Sequence, residues 1–196
     1  MHKIFTLITA VALGTALFAQ TKAPAPAHFT PRPAGEFVIR MPDGSQKLLS
    51  SYRGKVVVMA FMYTTCTHCQ HTAGLLAKIN TDYAGKPVQI LGDTIDTNAQ
   101  QGLPMFMKIT GANFPVGFSS PDQAIKFLHG PQDGWMVPML AFIDRNGVVQ
   151  YENIVTDADS DDSAAKFLED QDANIRKEID KLLKTPLTAS KQAPKS

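Results

Sequence analysis

The sequence contains only two cysteines and one tryptophan among its 196 residues, and neither sign of charge is in excess. Its 19 Lys and Arg residues nearly balance 18 Asp and Glu residues, and no basic block or basic–aromatic stripe occurs. A surface for nucleic acid or a tail for a polycationic partner is therefore not expected. The hydrophobic content of 44% is ordinary for a folded domain and supports one hydrophobic core.

A long membrane-spanning run is also missing. The uncharged apolar stretch over residues 4–18 follows Lys3 and is shorter than the roughly 20 residues that cross a bilayer. A positive start, a short apolar stretch and a small residue such as Ala19 are together typical of a signal peptide. We therefore expect cleavage after Ala19, which would give a periplasmic or secreted bacterial protein without a stable membrane span. An uncleaved N-terminal anchor is the alternative.

The two cysteines, Cys66 and Cys69, form a single C-x-x-C motif. In an oxidising compartment such a pair can be a structural disulfide. A disulfide that closes a loop of two residues, however, constrains the unfolded chain very little. The spacing favours a redox-active disulfide that opens and closes and needs no further cofactor. A structural disulfide and half of a metal site are the alternatives.

The motif follows an apolar run that starts at Val56 and ends at a Thr-Thr turn. This run predicts a strand buried on both faces, and the spacing of apolar residues over 72–79 predicts a helix after the cysteines. Cys66 would then lie at the helix N-cap or first turn, where free N–H groups and the helix dipole stabilise a thiolate. We predict that Cys66 attacks a substrate disulfide and that the more buried Cys69 resolves the mixed disulfide.

The other elements are predicted from apolar periodicity and turn residues. Residues 20–35, rich in Ala, Pro and Lys, are expected to form a disordered or extended lead-in. The predicted elements, in chain order, are a β-hairpin over 36–49, a buried strand over 88–92 parallel to the first, a helix over 98–110 with Pro104 suited only to its first turn, an edge strand over 114–118, a helix over 122–129, a hairpin around Asn146-Gly147, a helix over 163–183 and a flexible tail over 185–196.

Taken in order, these features resemble the TlpA/ResA-like branch of the exported thioredoxin-fold (redoxin) thiol-disulfide oxidoreductases, from about Phe37 to Tyr151. The motifs that carry the resemblance are the hairpin before Gly-Lys-Val-Val-Val, the Cys-Thr-His-Cys site, and Val-Pro followed by Phe-Ile-Asp-Arg-Asn-Gly. The resemblance implies an α/β fold, a three-layer α/β/α sandwich with a mixed central sheet. It also implies an N-terminal β-hairpin, one inserted strand–helix unit at 88–110, and a domain over residues 36–184.

The same resemblance implies that the peptide bond before Pro138 is cis and that this proline closes the site opposite Cys66. Val137 would pair through its backbone with an extended substrate, in the manner of strand addition. Trp135 and Thr65 are further candidates for contact with the substrate, although apolar residues beside a strand are more often part of the core. The expected partners are protein thiols or disulfides of the cell envelope and a redox partner protein, and a monomer is expected.

Two acidic residues of the family are missing. Ala60 stands where thioredoxins carry a buried carboxylate, and Thr72 stands where ResA-like proteins carry a glutamate. Either acid would help to move the proton of Cys69. With both absent, the family's route for activating Cys69 is missing, and His71 is a candidate substitute, unless it is only an exposed helix residue. Thr65 also replaces the usual tryptophan before the first cysteine.

Two histidines flank the second cysteine. His68 is predicted to stabilise the Cys66 thiolate further, which would make the pair more oxidising, unless it is only a solvated polar residue. Many family members work as reductants, so the direction of electron flow stays open. Cys66, Cys69 and His71 could instead bind copper or zinc, and a thioredoxin-fold metallochaperone is the alternative function.

Overall fold

The computed structural model describes residues 29–156 and 169–188. Its elements, in chain order, are β1 Arg32–Pro33, β2 Val38–Arg40, β3 Gln46–Leu48, a 3-10 turn Leu49–Tyr52, β4 Val56–Met62, α1 Thr67–Asp82, β5 Val88–Thr94, α2 Ala99–Thr110, β6 Val116–Phe118, α3 Pro121–Leu128, β7 Trp135–Ile143, β8 Val148–Thr156 and α4 Gln171–Leu183. The predicted signal peptide and the first part of the lead-in lie outside the described residues.

All eight of these strands form one mixed sheet in the order β1-β8-β7-β4-β5-β6-β2-β3. Strand β4 lies near its centre, parallel to β5 on one side and antiparallel to β7 on the other. Every residue of β4 is buried, as its unbroken apolar sequence predicts. The parallel β4–α1–β5 crossover and the β2–β3 and β7–β8 hairpins are confirmed.

Helices cover both faces of the sheet. Alternate residues of β4 point to opposite sides. One face packs against α1, α2 and α4 through residues such as Leu76, Phe106 and Ile179, and the other packs against α3 through residues such as Phe127. This is the predicted α/β/α sandwich. Two strand–helix units, β5–α2 and β6–α3, lie between α1 and β7, and the first covers the predicted insertion at 88–110.

Two local predictions are wrong. Strand β6 is not an edge strand, because β5 and β2 pair with it on either side. Pro104 lies beyond the first turn of α2, inside the helix. The proline removes a hydrogen bond to the carbonyl of Gln100, which is exposed and can be solvated instead.

The end of the predicted lead-in is extended and is held to the sheet. Arg32 and Pro33 form β1, which pairs with β8. The Arg32 guanidinium donates to Glu152 at 2.5 Å and to the carbonyl of Phe127 at 2.6 Å. These contacts order a segment that has too few apolar residues to suggest a strand.

Only part of the C-terminal prediction can be compared with the structure. Helix α4 accounts for the second half of the helix predicted over 163–183, while residues 163–168 lie outside the described residues. Pro186 and Thr188, in the predicted tail, form hydrogen bonds with Asn146. In the two described stretches of the chain, no helix has both the length and the apolar character required to traverse a lipid bilayer.

Candidate active site

Cys66 is the N-cap residue of α1, as predicted. Its backbone is extended, and its Sγ accepts a hydrogen bond from the Cys69 N–H at 3.2 Å. The three-residue turn 63–65 connects it to the end of β4, and the Cys66 N–H donates to the Tyr63 carbonyl at 3.3 Å. A sulfur at this position meets free N–H groups and the positive end of the helix dipole, which stabilise a thiolate.

Cys69 differs from Cys66 in its environment. Its side chain is fully buried, whereas Cys66 is partly exposed, and both are free thiols. Burial, and next the contact with Cys66, raise the pKa of the Cys69 thiol. The Tyr63 N–H donates to Cys69 Sγ at 3.5 Å and partly opposes this shift. The two thiols are therefore unequal, one reachable by a partner and the other enclosed.

The first residues of β7 close the opposite side of the site. The Val137-Pro138 peptide bond is cis, as the resemblance implied. The Val137 carbonyl oxygen lies 3.9 Å from Cys66 Sγ, and Pro138 is buried. The pairing of β7 with β4 ends at Met139, so the backbone before it is not paired with β4.

An open groove of about 570 Å³ runs beside Cys66. Its lining includes Tyr63 and the segment 132–137. The rings of Tyr63 and Trp135 meet edge to face with centroids 6.2 Å apart, and Met136 is 46% exposed. The structure thus brings Trp135 and Val137 to the reactive sulfur. Thr65 is exposed in the turn and lies outside the groove lining.

The two histidines are both exposed on α1. His68 lies in the first turn of the helix, beside the cysteines, and His71 lies one turn further on. Among the residues that the structure describes, no group of three or more His, Cys, Asp and Glu side chains is arranged to hold a metal ion. The geometry does not favour the metallochaperone alternative.

A carboxylate that sequence reasoning missed lies behind the turn. The Asp96 side chain, in the loop between β5 and α2, accepts hydrogen bonds from the Thr64 N–H at 2.9 Å and the Thr64 hydroxyl at 2.7 Å. Its negative charge contributes to the raised pKa of Cys69. The parallel pairing of Met62 with Thr94 brings residues 64 and 96 side by side. Counting residues along the parallel pairing of β4 and β5 could have identified Asp96 as a neighbour of Thr64.

The two positions that lack the family's acids are both buried. Ala60 packs in the core below α1. Thr72 donates from its hydroxyl to the Gln171 side-chain oxygen at 3.0 Å, which joins α1 to the start of α4. A neutral pair thus stands at the position where ResA-like proteins carry a glutamate.

Two thiols at a helix start, facing a cis-proline across the end of a mixed sheet, are the site of the thioredoxin-fold thiol-disulfide oxidoreductases. The redoxin family model matches residues 22–169, about three quarters of the chain, and the protein belongs to this family. Within it, the sequence is of the TlpA/ResA-like type.

Two relatives agree with this assignment, and a solved structure shares the fold. The chain is 26% identical over 151 residues to the thiol-disulfide oxidoreductase ResA of Geobacillus thermodenitrificans, covering 76% of this chain and 83% of that protein. It is 25% identical over 170 residues to ResA of Geobacillus kaustophilus, covering 86% and 93%. A thioredoxin family thiol:disulfide interchange protein from Chlorobium tepidum shares the fold, with a TM-score of 0.59, 21% identity, and coverage of 80% and 99%.

Proposed function

We propose that this protein is an exported enzyme that exchanges disulfides with cysteines of cell-envelope proteins through Cys66 and Cys69. The observation that carries the proposal is the inequality of the two thiols. Cys66 is accessible and accepts an N–H hydrogen bond, whereas Cys69 is enclosed and has a raised pKa. Such a pair can separate the attack on a partner from the release of that partner.

The reaction proceeds in two exchanges. The Cys66 thiolate attacks one sulfur of a substrate disulfide, the substrate S–S bond breaks, and the sulfur that leaves takes up a proton. Cys69 then attacks Cys66 Sγ, the bond between Cys66 and the substrate breaks, and the departing substrate sulfur takes up the proton that Cys69 gives up. The substrate leaves as a dithiol, and a Cys66–Cys69 disulfide forms. Two electrons and two protons have passed to the substrate, and the reverse sequence oxidises a dithiol.

The groove supports binding of an extended segment next to Cys66. Because Pro138 cannot donate a hydrogen bond and pairing with β4 ends at Met139, the backbone of Val137 can pair with a substrate strand. The Trp135 side chain and the exposed Met136 offer apolar contact to residues beside the substrate cysteine. This arrangement suits a protein chain better than a small thiol.

The reduction potential of the pair sets its direction. A value near roughly −120 mV would make the protein an oxidant, and one near roughly −270 mV a reductant. Equilibration with glutathione buffers, followed by thiol counting, measures this potential. His68→Ala tests the contribution of the exposed histidine, and a more negative potential is expected if the imidazole stabilises the reduced form.

Turnover of a protein disulfide tests the activity itself. The full chain is expected to catalyse the reduction of insulin by dithiothreitol, and Cys66→Ala is expected to lose this catalysis. Lys78→Ala, an exposed change on the same helix, serves as the control and should retain it. Catalysis that persists in Cys66→Ala would overturn the proposal.

Export and oligomeric state have their own measurements. Expression in a bacterial host should yield protein in the periplasmic fraction with the mass of residues 20–196, and size-exclusion chromatography should give a monomer. Full-length protein confined to the cytoplasm would contradict the export part of the proposal.

A further inference from the structure

The side chain of Asp96 binds a single residue, Thr64, of the turn that precedes Cys66. Both carboxylate oxygens accept hydrogen bonds from Thr64, one from its N–H and one from its hydroxyl. Hydrogen bonds to a charged acceptor are roughly twice as strong as neutral ones. Thr64 is only 6% exposed, so water competes little for these donors.

Two other elements hold the same residue. The Gln70 side chain, on α1, donates to the Thr64 carbonyl at 3.0 Å. Gly102, on α2, lies against the Thr64 side chain so closely that a Cβ there would be 2.8 Å from Thr64 Cβ. All three polar groups of Thr64 thus bind side chains from outside the turn.

The neighbouring residue of the turn contacts both cysteines. The Tyr63 N–H donates to Cys69 Sγ, and the Tyr63 carbonyl accepts from the Cys66 N–H. A shift of this turn would move Cys66 relative to the start of α1 and would disturb the Tyr63 N–H contact with Cys69 Sγ. Thr64 is a residue through which Asp96 and α1 hold this turn.

We propose that Asp96 is a positioning residue of the redox site, which holds the turn 63–65 so that Cys66 Sγ receives the N–H hydrogen bond at the start of α1. The proposal deepens the proposed function and rests on it for its biological meaning. Asp96 acts through Thr64 and the turn, without contact to the reacting sulfur atoms.

The effect of the Asp96 charge on the thiols must be distinguished from the effect of its hydrogen bonds. A negative charge near the sulfurs disfavours a thiolate, and this effect opposes the benefit of a well-placed turn. Asp96→Asn and Asp96→Ala remove the same charge. Only the asparagine can keep both contacts, because its oxygen accepts from the Thr64 N–H and its amide can donate to the Thr64 hydroxyl.

The rate at which iodoacetamide modifies Cys66 in the reduced full chain measures the effect. We expect Asp96→Ala to react about tenfold more slowly than Asp96→Asn. A factor of this size corresponds to the loss of one charge-assisted hydrogen bond to the Cys66 thiolate. Thr97→Ala, an exposed change in the same loop, is the control and should react like the wild type. General loosening of the fold would expose the thiols and speed their modification. A slower modification of Cys66 therefore indicates that Asp96 positions the turn.

Equal rates in Asp96→Ala and Asp96→Asn would overturn the inference. If circular dichroism shows that Asp96→Ala does not fold, Thr64→Val and Thr64→Ser make the second comparison, because only serine keeps the hydroxyl that binds Asp96. Equal rates in that pair would also overturn it. Iodoacetamide reports on Cys66 without any protein substrate, so absence of insulin turnover would refute the proposed function while leaving this result intact.

Discussion

Asp93 is a buried carboxyl group whose replacement should change the pH dependence of stability. It lies in β5 with no exposed surface. The Ser119 hydroxyl donates to one of its oxygens, and the other oxygen has no hydrogen-bond partner within the described part of the chain. Burial raises the pKa of Asp93 from 3.8 to about 7, although the Ser119 hydrogen bond and the charge of Arg40 act in the opposite direction.

The sign of the effect follows from this raised pKa. Well below pH 3.8 the carboxyl is protonated in both the folded and the unfolded chain, so it adds no ionisation cost. As pH rises towards 7, the unfolded chain ionises first, and folding becomes progressively less favourable. Above that range the whole cost applies, about 4 kcal/mol for a shift of about three pH units. The Asp93→Asn variant stays neutral and escapes this cost.

Urea unfolding of the wild type and Asp93→Asn near pH 5 and pH 8 tests the reasoning. The free energy of unfolding of the variant relative to the wild type should rise by about 2.5 kcal/mol between these two pH values. The constant cost of burying the amide cancels in this difference, and so does titration of Glu152, which both proteins contain. Asp122→Asn, an exposed change, is the control. A relative stability of Asp93→Asn that does not change with pH would refute the reasoning.

Two further substitutions test the packing and the groove. Gly117→Ala would place a Cβ against the backbone carbonyl of Arg40 and should lower the free energy of unfolding by about 2 kcal/mol. Gly35→Ala is the control, because a Cβ there meets open space and should leave the free energy of unfolding unchanged. Equal stabilities of the two variants would contradict this packing. Trp135→Ala should lower kcat/KM for insulin about tenfold, mainly by raising KM. The rate at which iodoacetamide modifies Cys66 should not fall. Ile109→Ala, an exposed apolar change on α2, is its control, and an unchanged KM would exclude Trp135 from substrate binding.

The sequence predicts those parts of the fold that depend on neighbouring residues. The unbroken apolar run identifies β4 as the buried central strand, because a strand with one solvent-exposed face would alternate apolar and polar residues. The change from that run to the C-x-x-C motif places Cys66 at the start of α1. Asn146-Gly147 fixes the turn between β7 and β8, where Gly147 has a φ of 75°.

Contacts between distant residues account for what the sequence does not show. Asp96 is 32 residues from Thr64, and no periodicity links them. The short β6 looks like an edge strand because of Pro115, yet that proline precedes the strand and leaves both of its sides free to pair. Arg32 joins β1 to the sheet through Glu152, 120 residues away, so the composition of the lead-in does not reveal the strand.

The central claim is that Cys66 forms the covalent bond to a partner and Cys69 releases it. Mixing reduced Cys69→Ala protein with an oxidised protein substrate should trap a one-to-one mixed disulfide through Cys66, which dithiothreitol releases and which the wild type does not accumulate. Mass spectrometry of the complex identifies the linked residue. Absence of a trapped complex, or equal accumulation with the wild type, would contradict the account.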